Sequence, residues 1–369
     1  MNWMRIPVFL LVLRSVCIWH SFQTADASKT DPVTYLNHAI DIMQTKALRR
    51  NTVDWTNTRA SALAMAAHAE STAGTYDAIR FALASLGDHH SSLHLTPALV
   101  VLESREKAIH PSADSPPPAQ QNFSPYVGRY EPEGHLERRG HRSFAYVVLT
   151  KCFPEDDRQF VAFETNLQKI LAELDRSHPA GWIVDLRGNV GGNMWPMLGG
   201  IGPLIGEGDN LGGFTDSVHH STWEYREGVA AEIEDGKATP YPTVAGTPYR
   251  ISGTPRVAVL IDRSTGSSGE AIAIAFRGRS KTRFFGEHTQ GSSTANQTIT
   301  LPDGASMWLT VGIDADRNGK EYLNGLAPDE VFPDATQVIP PSGDPVVQAA
   351  LDWLSRSSES TRPQSAQPR

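Results

Sequence analysis

Three continuous apolar runs constrain the fold of this chain more than any other feature. They read FAYVVLT, GWIVDL and RVAVLI, over residues 144–150, 181–186 and 256–261. A strand that is apolar at nearly every position is buried on both faces, as the strands of a parallel sheet are. An amphipathic helix pattern over residues 160–174 separates the first two runs. This alternation of strand and helix predicts an α/β domain with a largely parallel sheet.

The remaining segments predict how the chain is organised around that core. Residues 28–105 form an N-terminal helical domain with Asp31 as its first N-cap and with strands over SSLHL and ALVVLE near its end. Residues 106–142 are rich in Pro, Ser, Gln and charge, which predicts a linker or an exposed flap. The core domain spans residues 143–355, and we expect a disordered tail over residues 356–369.

The first 27 residues have the pattern of a secretory signal peptide. Arg5 precedes the apolar run IPVFLLVL, and the small residues at 25–27 are typical of a cleavage site. The pattern predicts a secreted or periplasmic protein; the alternative is an uncleaved membrane anchor with the domain outside the cytoplasm. Cleavage would leave Cys152 as the one remaining cysteine, which excludes an internal disulfide and a metal site built on cysteines.

Net charge argues against nucleic acid as a partner. The chain has 33 Lys and Arg against 41 Asp and Glu, a formal net charge of −8, so it offers no basic field to hold phosphates. No motif indicates a cofactor, and the sequence leaves the oligomeric state open.

The stretch DRSTGSSGEAIAIAF, residues 262–276, follows the third apolar run and contains Ser264, Ser267 and Ser268. A serine at the carboxyl end of a buried parallel strand, with a helix starting beneath it, lies where open α/β sheets bind ligands. Backbone N–H groups at the helix start favour the negative charge of a tetrahedral oxyanion. The alternative is a Ser/Gly turn that only caps the helix.

A glycine-rich turn, DLRGNVGGN over residues 185–193, follows the second apolar run. Glycines let the backbone turn tightly and present unshielded N–H groups to a substrate. The turn lacks the Gly-Lys-Ser/Thr of a phosphate loop and the spacing of a dinucleotide fingerprint.

A third segment, LGDHHSSLHL over residues 86–95, contains His89, His90 and His94. One of these could take the proton of a serine, because imidazole titrates near neutrality. His90 and His94 are spaced as zinc ligands on one helix would be. The Gly-Asp pair before them ends the helix, however, so we favour a base over a metal site.

Taken in order, the three segments resemble the tail-specific, or carboxyl-terminal processing, serine protease family. The family's Thr-Ala-Ser-Ala/Ser-Ala/Gly-Glu stands here as residues 265–270, and DLRGNVGG matches its glycine-rich segment. FFGEHTQG, LPDG and NGLAPDEVFPD match further landmarks, so the resemblance runs from about residue 31 to residue 354. It implies a crotonase/ClpP-like β-β-α protease core with an N-terminal helical domain, and a serine endopeptidase that cleaves peptide or protein substrates.

The resemblance also implies roles for individual residues. The nucleophile lies three residues before the motif's glutamate, which identifies Ser267. The oxyanion donors would be the backbone N–H of Gly191 or Gly192 and that of Ser268.

Two departures from the family pattern concern the general base and the substrate. Ser292 stands where the processing proteases have their lysine base. The tricorn-like and nisin-resistance-like branch uses a histidine in Asp-x-His-Thr/Ser instead, which identifies His90 in the Asp-His-His-Ser at residues 88–91. Residues 106–142 are too few and too polar for the usual peptide-binding PDZ module.

An acidic residue is expected to hold the histidine or tune the site. Glu321 lies near the family's late acidic position, although its spacing differs by about one residue. Glu287 is the second candidate; it could instead form a structural ion pair at a turn.

Two other functions compete with a protease. An α/β-hydrolase esterase would need Gly-x-Ser-x-Gly, but Thr265 stands at the first glycine, and His288 lies only 21 residues after Ser267. A non-catalytic ligand-binding module could share the fold without hydrolysing anything. Reaction of Ser267 with a phosphonate or sulfonyl fluoride probe would distinguish an enzyme from such a module.

Overall fold

The computed structural model describes residues 30–109, 123–129, 131–216, 220–332 and 337–356. The predicted signal peptide lies outside these residues, as does the predicted tail beyond residue 356, so both stay predictions. None of the helices in the described ranges is long and apolar enough to cross a bilayer.

The described residues contain eight α-helices and thirteen β-strands. The helices are α1 (Pro32–Lys46), α2 (Trp55–Met65), α3 (Tyr76–Ala84), α4 (Pro97–Ile109), α5 (Asp157–Asp175), α6 (Met194–Ile205), α7 (Ser268–Phe276) and α8 (Pro345–Ser355). The strands are β1 (Ser92–His94), β2 (Glu133–Arg139), β3 (Arg142–Val148), β4 (Trp182–Asp185), β5 (Gly212–Thr215), β6 (His220–Arg226), β7 (Val229–Glu234), β8 (Lys237–Pro240), β9 (Val257–Ile261), β10 (Thr282–Gly286), β11 (Thr294–Thr300), β12 (Ser306–Asp316) and β13 (Glu330–Val331).

A six-stranded sheet in the described residues has the order β13-β10-β9-β4-β3-β2. All neighbours in it are parallel except β2, which runs antiparallel to β3. The three apolar runs are its central strands β3, β4 and β9, and successive residues face two different hydrophobic cores. The predicted α/β architecture with a largely parallel sheet is therefore confirmed.

The register of this sheet brings two loops together. Asp185 at the end of β4 pairs with Leu260 of the adjacent parallel strand β9. The carboxyl ends of both strands therefore lie at one edge, where the glycine-rich turn and the serine-containing stretch begin.

A second, antiparallel sheet has the order β1-β12-β5-β6-β7-β8, and β11 pairs with the other edge of β12. Helices α1, α2 and α3 pack against it, in a core shared with Met307 and Leu309 of β12. The predicted helical region is thus built onto a sheet whose long strand comes from the C-terminal part of the chain.

Two segments differ from the sequence prediction. ALVVLE, predicted as a strand, lies in α4, where Leu99 and Glu103 are buried four residues apart while Val100, Val101 and Leu102 are exposed. Strand β2 falls within the predicted linker or flap. Its polar residues occur at the edge of a sheet, where most of their side chains reach solvent, so no apolar pattern marks it.

Candidate active site

Ser267 adopts a backbone conformation that few side chains tolerate. It is the N-cap residue of α7, with φ 50° and ψ −124°. A non-glycine residue in this region is strained, and such strain persists only where the surroundings enforce it. The Ser267 N–H donates to Glu270 Oε2 at 3.0 Å, which fixes the turn from within.

Glu270 holds the neighbouring loop against this turn. Its fully buried carboxyl also accepts the N–H groups of Gly291 at 2.9 Å and Ser292 at 2.8 Å and the Thr289 hydroxyl at 2.5 Å. Burial raises the pKa of Glu270, while these hydrogen bonds oppose the rise. Ser292, at the family's lysine position, thus contributes a backbone N–H to the site's scaffold.

The glycine-rich turn lies directly against Ser267. A Cβ on Gly191 would come within 2.7 Å of Ser267 Cβ and 3.0 Å of the Ser268 nitrogen, and Gly191 has φ 104°. Only glycine fits there. The Ser268 hydroxyl donates to the Gly192 carbonyl at 2.6 Å and joins the two loops.

The N–H groups of this turn differ in whether they are available to a ligand. The Gly191 N–H donates to Asn189 Oδ1 at 3.0 Å, so it is already engaged. Within the described part of the chain, the N–H groups of Gly192 and Ser268 have no protein acceptor. Of the two glycines that the sequence indicates as possible oxyanion donors, Gly192 is the one whose N–H has no acceptor among the described residues.

His90 is held in place by its own loop and by β11. Its backbone N–H donates to Asp88 Oδ1 at 3.1 Å, and its carbonyl accepts from Asn296 Nδ2 at 3.0 Å. Its ring Nδ1 lies 2.8 Å from Thr294 Oγ1. Burial lowers the pKa of His90, while the charge of Asp88 opposes the shift. The imidazole is therefore biased towards its neutral form.

The other two histidines of the segment have different surroundings. His89 is exposed. His94 packs against Trp308 with ring centroids 3.9 Å apart and the ring planes tilted by 32°, and its Nε2 forms a hydrogen bond with Ser92 Oγ at 2.8 Å. The described residues contain no group of three or more His, Cys, Asp or Glu that could hold a metal ion.

One cavity of about 730 Å³ lies where the serine-containing stretch, the glycine-rich turn and β11 meet, and His90 is not among its described lining residues. Ser267, Ser268, Gly192 and Thr294 all line it. Among the hydrogen bonds of the described residues, none joins Ser267 Oγ directly to His90. Catalytic hydrogen bonds are commonly long without substrate and tighten in the substrate complex.

The remaining sequence candidates lie elsewhere. Ser264 is buried, and its hydroxyl accepts the Ser124 N–H at 2.7 Å, which is a structural role. Glu287 forms an ion pair with Arg263 at 3.2 Å. Glu321 is exposed and forms an isolated antiparallel β-bridge with Ala315 of β12, and no described hydrogen bond or ion pair joins its side chain to His90. The histidine's observed partner is thus Thr294, 204 positions away in the chain, which no local pattern could have identified.

Comparisons with known proteins agree with this architecture. The chain is 26% identical over 325 residues to the nisin-resistance protein of Lactococcus lactis subsp. lactis, covering 88% of this chain and 91% of that protein. It is 25% identical over 197 residues to a carboxyl-terminal-processing protease of Picosynechococcus sp., covering 52% of this chain and 42% of the other.

Two solved structures share the fold. A lipoprotein from Streptococcus agalactiae superposes with a TM-score of 0.63 at 21% identity, over 88% of this chain and 96% of the other. The photosystem II D1 C-terminal processing protease gives a TM-score of 0.52 at 18% identity, over 82% and 93%. Residues 143–332, more than half of the chain, match the model of peptidase family S41. The chain therefore belongs to peptidase family S41 and is a serine-type peptidase.

Proposed function

We propose that this peptidase cleaves peptide or protein substrates through an acyl-enzyme, with Ser267 as nucleophile and His90 as general base. One observation carries the proposal: the strained Ser267 lies beside two backbone N–H groups that have no acceptor in the described protein. A serine side chain next to unpaired donors is the arrangement that acyl transfer requires.

In the proposed reaction, Ser267 Oγ attacks the carbonyl carbon of the scissile peptide while His90 Nε2 takes the hydroxyl proton. The carbonyl oxygen becomes an oxyanion and accepts hydrogen bonds from the N–H groups of Gly192 and Ser268. Collapse of the tetrahedral intermediate breaks the C–N bond, and His90 gives its proton to the leaving amine. Water then attacks the acyl-enzyme with His90 again as base, which releases the acid product and restores Ser267.

The surroundings of His90 support its role as base. Its lowered pKa keeps the imidazole neutral, and a neutral ring can accept a proton. If Nδ1 carries the hydrogen and donates it to Thr294 Oγ1, the lone pair stands on Nε2. Thr294 thus takes the orienting role that the sequence prediction gave to Glu321 or Glu287.

Ser267→Ala, compared with Ser264→Ala as a matched control, tests the proposal. Loss of the nucleophile should abolish cleavage of a peptide library and labelling by a fluorophosphonate probe, with the fold intact by circular dichroism. Ser264 serves the structure, so its variant should still react with the probe even where its stability falls. Cleavage and labelling that survive in Ser267→Ala would exclude Ser267 as the nucleophile.

A further inference from the structure

Asp314 of β12 is a buried carboxyl with one unpaired oxygen. It is only 1% exposed, and its Oδ1 has no hydrogen-bond partner in the described residues. Asp316, on the same face of the strand, instead accepts from the N–H groups of Asn318 and Lys320 and from the Tyr322 hydroxyl. A buried polar group without a partner is destabilising, so a ligand that donated a hydrogen bond to Oδ1 would offset this cost.

Asp314 lies in the wall of the active-site cavity. It lines the cavity together with Ser267, Ser268 and Ala271, which belong to the start of α7. The backbone of Asp314 is fixed, because its N–H donates to the Ser293 carbonyl at 3.1 Å and its carbonyl accepts from the Tyr322 N–H at 3.0 Å. A substrate whose carbonyl is held at Ser267 would extend its adjacent side chain into the cavity whose wall includes Asp314.

The charge of the cavity favours a cation. Besides Asp314, its lining includes three acidic residues, Asp216, Glu232 and Glu234, against two basic ones, Lys46 and Arg50. Burial and the neighbouring carboxylate of Glu270 raise the pKa of Asp314 well above its ordinary range. A cation placed beside Asp314 would stabilise its ionised form.

We propose that Asp314 is a specificity-determining residue that binds the basic side chain, lysine or arginine, of the substrate residue supplying the scissile carbonyl. The inference rests on the proposed role of Ser267. The ammonium or guanidinium group would supply the donors that Asp314 lacks in the unbound protein, and a charged hydrogen bond in a desolvated cavity is strong.

Fluorogenic peptides that differ only at this substrate position test the proposal. Lysine and arginine peptides should be cleaved with a higher kcat/KM than the leucine and glutamine peptides. Asp314→Asn, which keeps the size of the side chain, should lower kcat/KM for the basic peptides about 100-fold and leave the leucine peptide within a few-fold. Asp209→Asn removes an exposed charge outside the cavity and should keep the basic preference.

The pH dependence of the unaltered enzyme gives a second readout that needs no variant. Binding a cation requires Asp314 to lose its proton, so KM for the lysine peptide should fall as pH rises, while KM for the leucine peptide should not follow it. An equal preference for leucine and lysine, a lysine preference that survives in Asp314→Asn, or a pH-independent lysine KM would each overturn the assignment. The role of Ser267 is read separately, because Ser267→Ala should cleave none of the peptides.

Discussion

Ser267, which lines the cavity, has a strained backbone conformation. A positive φ at a non-glycine residue costs on the order of 1–3 kcal/mol, and here the Glu270 carboxylate and the contact with Gly191 enforce it. Next to it, the N–H groups of Gly192 and Ser268 have no acceptor among the described residues. At the scale of single residues, the site thus combines a hydrogen bond from Ser267 to Glu270 with two backbone N–H groups that have no acceptor in the described part of the chain.

Thr294→Val should lower kcat by about tenfold or more, because the ring of His90 would lose the partner that sets its orientation and tautomer. Thr294→Ser keeps a hydroxyl and should recover most of the rate. Steady-state kinetics on one peptide measure both variants, and KM should change less than kcat.

Glu321→Gln tests whether Thr294, as in the structure, or Glu321, as the sequence predicts, supports His90. The exposed side chain makes no described contact with His90, so its neutralisation should leave kcat near the original value. A large loss of kcat in Glu321→Gln, with Thr294→Val fully active, would restore the acidic residue as the partner of the histidine.

Individual elements were predictable where their signal was local. The apolar runs predicted β3, β4 and β9, and Asp31 is indeed the N-cap of α1, where its carboxylate accepts the Thr34 N–H. The sequence predicts a strand over ALVVLE, but the segment is helical and its valines are on the exposed side of α4. Propensity is a weak guide where burial is partial, since the packing of neighbouring elements decides the conformation.

The contact between α5 and α6 contains a titratable group that burial keeps neutral. Glu164 of α5 is 1% exposed and packs on Gly199 of α6, where a Cβ would lie 2.4 Å from Oε1. Burial raises its pKa to about 8. The folded state therefore retains a proton that the unfolded state has released, at every pH between the ordinary glutamate pKa and about 8.

The contribution of Glu164 to the free energy of unfolding should be complete below the ordinary glutamate pKa. As pH rises from there to the folded-state pKa, we expect it to decline by about 1.4 kcal/mol per pH unit. Glu164→Gln should remove that slope, so the variant should gain stability relative to the unaltered protein as pH rises. Urea unfolding between pH 5 and 8 measures the effect. Glu173→Gln, an exposed change on the same helix, should keep the slope; equal slopes in both variants would contradict the assignment.

At the scale of the whole molecule, the region that carries His90 is joined to the rest through the antiparallel sheet. Asp303 lies in the turn between β11 and β12, and its two oxygens accept the hydroxyls of Tyr35 and Tyr76, each at 2.7 Å. Helices α1 and α3 are thereby tied to the hairpin that also presents Thr294 and Asp314.

Asp303→Ala should lower the free energy of unfolding by about 3 kcal/mol, because two phenol hydrogen bonds to a carboxylate are lost together. Thermal or urea denaturation measures the loss. Asp209→Ala removes a largely exposed carboxylate and should change stability by less than about 1 kcal/mol. A loss in Asp303→Ala no greater than in this control would mean that the hydrogen bonds from Tyr35 and Tyr76 contribute little to stability.

The sequence by itself determined the parallel sheet, the positions of the serine and glycine turns at its edge, and a short list of candidate residues. These follow from local signals: apolar runs, glycine spacing and a motif contained within a few positions. Tertiary structure decided which glycine N–H is free, that His90 contacts Thr294, and that Asp314 borders the cavity. Those facts depend on contacts between residues distant in the chain, and on hydrogen-bond partners that form only once both sheets are assembled.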